Sequence, residues 1–376
     1  MKRILITGGA GFIGSNLANN LVRQGFEVTV LDNLSEQVHS KEPEASYLFR
    51  SLSDQVRFIH GSVLKDADLR EALLDQDVVV HLAAETGTGQ SMYQVGRYVD
   101  VNIGGTAKIL DILGDGKSNL KRFVIASSRS IYGEGKYLSG GEYIYPKHRN
   151  LEDLENGIFE IVPPKGSREV LLQATDEESK IHPSSVYGVT KQVQEQLVMT
   201  VCPTLGIEPV ALRYQNVYGP GQSLSNPYTG ILSIFSNLIM SGKTINIFED
   251  GNESRDFVFI DDVVDATRLA ITHPNAANEV FNVGSGIATS VSKVAECLQR
   301  FFASEVEMQV SGNFRLGDIR HNYACLAKIG SRLGFKPEVS FDHGISKFAE
   351  WARALGPASS SYEKSISEMK ERGLLK

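Results

Sequence analysis

The sequence predicts an α/β fold, in which helices flank a parallel, doubly wound sheet and a smaller lobe follows. Two observations carry this prediction. Short apolar runs of strand length alternate with longer amphipathic stretches, which is typical of parallel strands joined by crossover helices. A glycine-rich segment also follows directly on the first run. The runs that we expect to be strands cover residues 3–6, 27–31, 56–59, 78–82, 123–126 and 210–212.

The glycine-rich segment joins the first strand to the first helix. Thr7 to Gly14 reads TGGAGFIG, and its glycines at 8, 11 and 14 allow a tight turn, a close backbone approach to a pyrophosphate, and helix packing on the strand. The helix expected from Ser15 to Arg23 offers free N–H groups to phosphates at its N-terminus. The segment therefore predicts a Rossmann dinucleotide-binding unit.

The second strand ends in Asp32. An acidic side chain about 20 residues beyond the glycines accepts hydrogen bonds from an adenosine ribose and repels a 2′-phosphate. NAD is therefore favoured over NADP. The alternative is that Asp32 only begins a turn with Asn33.

The third and fourth strands open into turns at their carboxyl ends, which is the edge where open α/β sheets bind ligands. Residues 60–63 read HGSV and residues 81–84 read HLAA. His81 stands at an apolar strand end, so we expect a structural histidine rather than an acid or a base.

Residues 134–181 interrupt the alternating pattern with Gly, Pro, Tyr and charged residues. We expect a long insertion near the site entrance, and loops of this length are either functional or mobile. A lid and a passive loop both stay open as interpretations. The end of the chain, from Tyr362 to Leu375, has the pattern of a solvated amphipathic helix.

A second motif combines tyrosine and lysine. Tyr187 and Lys191 are four residues apart after the helix-start signal Pro183-Ser184-Ser185, so they share a helix face. A nearby ammonium group favours the phenolate over the phenol, which makes Tyr187 a candidate proton acceptor. Small hydroxyls after the fifth strand, in the segment ASSRSIYG from Ala126, would lie beside a nicotinamide ring.

The composition excludes several classes of protein function. The chain has 376 residues, a net charge of −7 and 41% hydrophobic residues, which suits one large domain with a smaller lobe and argues against nucleic-acid or membrane-surface binding. Its three cysteines indicate neither a disulfide framework nor a metal site. With no signal peptide or apolar run of membrane-span length, we expect a cytoplasmic protein.

With these motifs the chain resembles the extended short-chain dehydrogenase/reductase family, specifically its nucleotide-sugar epimerases and dehydratases. The resemblance runs from Gly8 to about Phe335. Beyond the motifs above, it rests on the segments NIGGT from Asn102, LRYQNVYGP from Leu212, RDFVFIDD from Arg255 and FNVG from Phe281.

The resemblance implies a catalytic set of Ser128, Tyr187 and Lys191 with tightly held NAD. The family serine lies four residues before Tyr132, which selects Ser128 over Ser127. Dehydratases of the family carry Asp-Glu directly after this hydroxyl residue, whereas this chain has Arg129-Ser130. Dehydration is therefore excluded, and epimerisation or keto reduction remains.

The family pattern also implies the binding residues. One departure is Ser62, where relatives usually place an aspartate toward the adenine, and it removes one hydrogen bond. The residues expected around NAD are Gly8, Gly11, Phe12, Ile13, Gly14, Asp32, Asn33, Ser62, Val63, Leu82, Ala83, Ala84, Thr86, Tyr187 and Lys191. Those expected around the substrate are Thr86, Ser128, Asn216, Arg255 and Arg320.

The two arginines are expected to grip a diphosphate, which a planar guanidinium binds bidentately. The alternative for each is an ion pair, and in the segment RLGDIR both Arg315 and Arg320 could also face away. The implied architecture is an NAD-binding domain of residues 1–215, to which the chain returns at about 256–285. Residues 216–255 and 286–376 would form a nucleotide-sugar lobe.

The expected activity is NAD-dependent 4-epimerisation of a nucleotide sugar through a 4-keto sugar. Residues 84–93, AETGTGQSMY, resemble the subgroup acting on 6-deoxy sugars such as dTDP-L-rhamnose. The alternatives are a UDP-sugar 4-epimerase, a nucleotide-4-keto-sugar reductase and a non-catalytic NAD-binding regulator. The family further implies a homodimer, in which residues 90–113 and the Tyr187 helix form a four-helix bundle.

Overall fold

A parallel sheet forms the centre of the computed structural model, which describes residues 1–116, 118–164, 169–226, 228, 230–358 and 362–376. Part of the predicted insertion, residues 165–168, lies outside these ranges. The strands are β1 (Arg3–Thr7), β2 (Glu27–Asp32), β3 (Arg57–His60), β4 (Val78–His81), β5 (Arg122–Ser128), β6 (Lys136–Ser139), β7 (Glu142–Ile144), β8 (Leu171–Gln173), β9 (Glu208–Tyr214), β10 (Asn216–Tyr218), β11 (Ile245–Ile247), β12 (Ser254–Phe259), β13 (Glu279–Val283), β14 (Ala288–Ser290), β15 (Met308–Val310) and β16 (His321–Asn322).

Seven strands build the central sheet of the described chain, in the order β13-β9-β5-β4-β1-β2-β3. All neighbours are parallel, which confirms the predicted doubly wound α/β fold. The chain moves outward in one direction from β1 to β3 and then restarts on the other side with β4. The carboxyl ends of β1 and β4 therefore border the crevice where such folds bind ligands.

Helices cover both faces of this sheet. On one face α1 packs beside α11, and on the other α7 packs beside α9. A π-helical stretch, Val99–Gly104, joins α6 to α7 in one helical run. The helices are α1 (Phe12–Arg23), α2 (Glu36–His39), α3 (Tyr47–Arg50), α4 (Asp66–Leu73), α5 (Thr88–Ser91), α6 (Val95–Tyr98), α7 (Gly105–Gly114), α8 (Leu151–Glu155), α9 (Val186–Thr204), α10 (Ile231–Met240), α11 (Ile260–Thr272), α12 (Val291–Phe302), α13 (Ala327–Leu333), α14 (Phe341–Leu355) and α15 (Tyr362–Glu371).

The strand pattern explains this layering. Successive side chains of a strand point to opposite faces, and strands that are apolar at every position are buried on both. In β1, Ile4 and Ile6 join the core under α1, while Leu5 joins the core on the opposite face. None of these described helices is both long and apolar enough to cross a membrane.

The C-terminal part adds a smaller body of mixed strands and helices. β12 pairs with β10, β14 and β16, and β11 pairs with β15, while α10, α12 and α14 pack together. The chain returns to the central sheet through α11 and β13, whereas β12 belongs to the small sheet and crosses the start of the predicted return segment at about residue 256.

The insertion contains more structure than the sequence pattern indicated. β6 pairs with β7 and β8 in an antiparallel sheet. Gly140 and Gly141 connect β6 to β7 and both have positive φ, 60° and 87°, as two-residue hairpin turns require. The C-terminal helix also differs from expectation, because Ser365 and Met369 of α15 are buried rather than solvated.

Candidate active site

Two cavities meet at Ser128 and Tyr187. A cavity of about 440 Å³ extends along the carboxyl edge of the central sheet, and one of about 190 Å³ opens beside it toward the smaller body. Both side chains line both cavities. The larger cavity is also lined by every residue predicted around a dinucleotide, namely Gly8, Gly11, Phe12, Ile13, Gly14, Asp32, Asn33, Ser62, Val63, Leu82, Ala83, Ala84, Thr86, Tyr187 and Lys191.

The glycine turn forms the floor of the larger cavity. Gly8 has a φ of +68°, and a Cβ there would lie 2.7 Å from the Ala83 nitrogen. A Cβ on Gly14 would lie 2.5 Å from the Gly8 oxygen, so α1 can approach the turn only without side chains. Helix α1 begins with no side-chain cap and no acidic residue in its first turn. Its N-terminus therefore presents free N–H groups, which fits a pyrophosphate.

Asp32 is held at the end of β2 by the backbone around the turn. Its Oδ2 accepts a hydrogen bond from the Ala10 nitrogen at 3.0 Å, and its Oδ1 accepts one from Leu34 at 2.8 Å. The carboxylate thus fixes the glycine turn as well as bordering the cavity. This position suits a ribose hydroxyl and disfavours a 2′-phosphate, because two anions would meet there.

A buried hydrogen-bond chain leads from β1 to the predicted lysine. The Thr7 hydroxyl lies 2.6 Å from His81 Nδ1, and Thr106 Oγ1 lies 3.0 Å from His81 Nε2. Gln194 donates to Thr106 at 2.8 Å and accepts from Lys191 Nζ at 2.8 Å. Burial lowers the pKa of His81 to about 3. His81 is therefore a neutral structural group, as the sequence predicted.

Lys191 is almost entirely enclosed by this chain, with 3% of its surface exposed. Burial lowers the pKa of its ammonium group to about 7, and the Glu195 carboxylate acts in the opposite direction. Gln194 orients the amine at the cavity wall. The sequence analysis missed Gln194, although its position three residues after Lys191 on one helix indicates a neighbour.

Tyr187 lies in the first turn of α9, and its surroundings change its pKa. Ser185 caps α9, and the Tyr187 backbone nitrogen donates to Ser91 Oγ at 3.0 Å. Burial raises the pKa of Tyr187, whereas a hydrogen bond with Ser128 and the charge of Arg129 act to lower it. The cation that acts on the tyrosine here is thus Arg129, while Lys191 is bonded to Gln194.

Arg129 is the second residue that the sequence analysis missed as a site residue. It follows β5 directly, lines the smaller cavity, and donates from Nε to Asn216 Oδ1 at 2.7 Å. Burial and the charge of Arg255 lower the pKa of Arg129 to about 10. Asn216 lines the same cavity, as predicted for a substrate contact.

Arg255 lies behind the cavity wall. Its guanidinium donates to the backbone oxygens of Ser254, Ile319 and Arg320 and to the Asp318 carboxylate. Neither cavity is lined by Arg255. A diphosphate contact would require some of these hydrogen bonds to be exchanged, so this predicted role stays untested.

Arg320 lies in an ion-pair cluster, which is the alternative to a diphosphate contact that the sequence left open. Its side chain is fully buried, and it donates to Glu160, Glu249 and Asp250 at 2.6–2.9 Å. Nearby, Arg149 pairs with Glu249 at 2.7 Å. The physical reason is charge compensation, because three carboxylates already occupy the fork that a phosphate would need.

Comparisons with known proteins agree with this geometry. The sequence model of the "NAD dependent epimerase/dehydratase family" matches residues 4–151 and 160–284. A dTDP-L-rhamnose 4-epimerase from Burkholderia thailandensis is 36% identical, over 93% of this chain and 94% of the relative. A putative UDP-glucose 4-epimerase from Methanocaldococcus jannaschii is 30% identical, over 93% and 98%.

Solved structures have the same fold. UDP-glucose 4-epimerase from Thermotoga maritima, crystallised with UDP-glucose, superposes with a TM-score of 0.77 at 29% identity, covering 94% of this chain and 99% of the other. UDP-glucuronic acid 4-epimerase from Bacillus cereus, bound to UDP-glucuronic acid and NAD, gives 0.77 at 27% identity with the same coverage.

The predicted cofactor is thereby confirmed, since the matching family depends on NAD and the cavity has the turn, the uncapped helix and the acidic residue that NAD requires. The chain belongs to the NAD-dependent epimerase/dehydratase family of extended short-chain dehydrogenases, and it is an enzyme that uses NAD.

Proposed function

We propose that this enzyme inverts C4 of a nucleotide-diphosphate sugar, and that its substrate is a dTDP-6-deoxyhexose such as dTDP-L-rhamnose. The observation that carries the proposal is the position of Tyr187 and Ser128 at the junction of the two cavities. The relative at 36% identity is named for this substrate. Relatives named for UDP-glucose are 30% and 29% identical, so the nucleotide and the sugar need a direct test.

In the proposed reaction Tyr187 removes the proton of the C4 hydroxyl while Ser128 holds the same oxygen by a hydrogen bond. NAD, when bound along the larger cavity, would supply reversible hydride exchange at C4, so that the hydride removed from one face of the sugar can be returned to the other. The sugar is a ketone between these steps, and Tyr187 then returns the proton. Atoms and electrons balance within each cycle, so the reaction consumes no external oxidant.

Position 129 supports epimerisation over dehydration. Arg129 and Ser130 occupy the places directly after Ser128, and Ser130 Oγ donates to Ser128 Oγ at 3.0 Å. Neither side chain is a carboxylic acid that could protonate a departing hydroxyl. Arg129 instead stabilises negative charge on Tyr187.

The diphosphate anchor is proposed to be Asn216 together with Arg129. Both line the smaller cavity and are hydrogen-bonded to each other, so the guanidinium is already oriented for an anion. Thr86 borders the larger cavity, where its loop would contact the sugar.

The direct test is incubation of purified enzyme with dTDP-L-rhamnose, UDP-glucose and UDP-glucuronic acid without added cofactor, followed by NMR of the sugar. We expect a mixture of C4 epimers from dTDP-L-rhamnose alone. Turnover of the UDP-sugars instead would reassign the substrate, and activity only on a 4-keto sugar with NADH would make the enzyme a ketoreductase.

The matched variants are Tyr187→Phe and Tyr143→Phe. We expect Tyr187→Phe to lose roughly 10²- to 10⁴-fold in kcat, because general acid–base catalysis contributes about that much. Tyr143 is 59% exposed in the insertion, and its variant should retain wild-type turnover. Near-normal turnover of Tyr187→Phe would contradict the assignment.

We also propose that the enzyme is a homodimer whose interface joins the helical run from α5 to α7 with α9. Large apolar side chains are exposed along these helices, at Met92, Val95, Val99 and Val189. A second copy would bury them. Sedimentation equilibrium tests this assembly, and a monomer at micromolar concentration would contradict it.

A further inference from the structure

Two glutamine side chains meet beside the larger cavity, which Gln37 lines. Gln37 lies on α2, which follows β2, and Gln90 lies on α5, which follows β4. Gln37 Nε2 donates to Gln90 Oε1 at 3.1 Å, and Gln90 Nε2 donates to Gln37 Oε1 at 3.2 Å. The two amides therefore form a reciprocal pair, in which each is donor and acceptor at once.

The sheet order shows what this pair spans. β2 and β4 are the two neighbours of β1, and the glycine turn follows β1. A contact between the segment after β2 and the segment after β4 must therefore cross in front of the turn. Gln37 lines the larger cavity, whose floor is formed by the glycine turn. The pair therefore lies at the rim of this cavity, near the predicted pyrophosphate site.

The two partners are held with unequal firmness. Gln90 is 4% exposed, and the Tyr98 hydroxyl lies 3.1 Å from its Oε1 and 2.7 Å from the Thr86 backbone oxygen. Gln37 is half-buried on a helix of four residues. Gln90 is therefore held in place by its neighbours, and the α2 segment is the part that must move to open the rim of the cavity.

We propose that the Gln37–Gln90 pair is a clasp that retains NAD through the catalytic cycle. An enzyme that returns a hydride to the molecule from which it came must not release its cofactor between the two steps. Opening the clasp breaks two hydrogen bonds, and we expect their combined loss to accelerate NAD release about tenfold.

The experiment measures release of bound NAD from the purified holoenzyme into excess isotope-labelled NAD, with no sugar present. We expect Gln37→Ala and Gln90→Ala each to accelerate release about tenfold, and the double variant to be no faster than either single one, because the pair acts as one unit. Gln37→Glu keeps an acceptor but no donor, and it should accelerate release about threefold.

The control is Glu36→Ala, the exposed neighbour on the same short helix, which should release NAD within about twofold of wild type. Equal rates for Gln37→Ala and Glu36→Ala would overturn the proposal. Acceleration by Gln37→Ala but not by a folded Gln90→Ala would also overturn it, because Gln37 would then act on NAD directly. If Gln90→Ala does not fold, the Gln37 variants decide alone.

This inference rests on NAD as the cofactor and not on the proposed sugar. Failure of every sugar in the substrate panel would leave the release rates unchanged, whereas failure of the clasp would leave epimerisation on the first turnover intact. The two proposals therefore fail separately.

Discussion

The cofactor side and the substrate side of this site are formed by different kinds of chemical groups. Backbone and short side chains form the cofactor side, where the glycine turn, the end of β2 and the strand ends line one cavity. On the substrate side, Arg129 lines the smaller cavity, whereas of the two predicted arginines one is in a carboxylate cluster and the other lies behind the wall. Spacing along the chain determines where a turn lies, but it does not determine where an arginine points.

The difference follows from partners that are remote in sequence. Arg320 meets Glu160 of the insertion and Glu249 and Asp250 after β11, and no local pattern brings these segments together. Asp32, in contrast, is bonded to Ala10 and Leu34 within the same βαβ unit. Local units are therefore predictable residue by residue, and ion-pair clusters between segments are not.

The largest expected effect is on Arg320→Met, which tests whether this arginine is structural. Removing it leaves the buried Glu249 with less compensation, and we expect a loss of about 3–5 kcal/mol in the free energy of unfolding. The KM for the nucleotide sugar should stay within about twofold of wild type. Urea unfolding and steady-state kinetics measure both.

The exposed pair of Arg300 with Asp342 supplies the control, since Arg300→Met should cost about 0–1 kcal/mol. A stable Arg320→Met protein with a tenfold higher KM would show that Arg320 contacts the substrate. The difference between the predictable cofactor side and the unpredicted substrate side would then disappear.

A smaller effect is expected at the glycine turn. The Cβ of Gly14→Ala would lie 2.5 Å from two backbone atoms, Gly8 O and Gly9 Cα, so α1 must shift away from the turn. We expect a loss of about 1–3 kcal/mol in unfolding free energy, together with loss of bound NAD. NAD content of the purified protein and thermal unfolding are the measurements.

Gly114→Ala is the matched variant, because its Cβ meets no atom within 4 Å. It should retain NAD and unfold at or slightly above the wild-type temperature. Full NAD content in Gly14→Ala would show that NAD binding does not require the close approach of the α1 backbone to the glycine turn.

The smallest effect concerns His81. Its pKa in the folded protein is about 3, below the unfolded value of about 6.5, so as pH falls below 6.5 the unfolded chain binds a proton that the folded protein does not. Wild type should therefore lose about 1 kcal/mol more than His81→Gln between pH 6.5 and 5.5. Urea unfolding at the two pH values measures this difference.

His343→Gln, at an exposed position on α14, provides the comparison for other histidines. A difference between wild type and His81→Gln that does not change with pH would mean that His81 has the same pKa in the folded protein as in the unfolded chain. The hydrogen-bond chain to Lys191 would then need a different arrangement of protons.

The sequence predicted the central sheet, the glycine turn and a structural His81, since each depends on apolar runs or on spacing within one unit. The catalytic roles of Ser128 and Tyr187 stay predictions. It missed the hairpin in the insertion, although Gly140-Gly141 is a turn signal, because the flanking strands are short. It also missed the buried face of α15. Met369 packs near Gly89, and that contact exists only after the chain has folded around the site.

The carboxylate cluster around Arg149 and Arg320 also limits how this enzyme can be recombined with its relatives. Arg149 and Glu160 come from the insertion, whereas Glu249 and Arg320 come from the smaller body. A chimera that exchanges one segment without the other would leave buried charges without partners. The insertion and the smaller body must therefore be exchanged together, although Arg149 and Glu249 lie 100 residues apart in the chain.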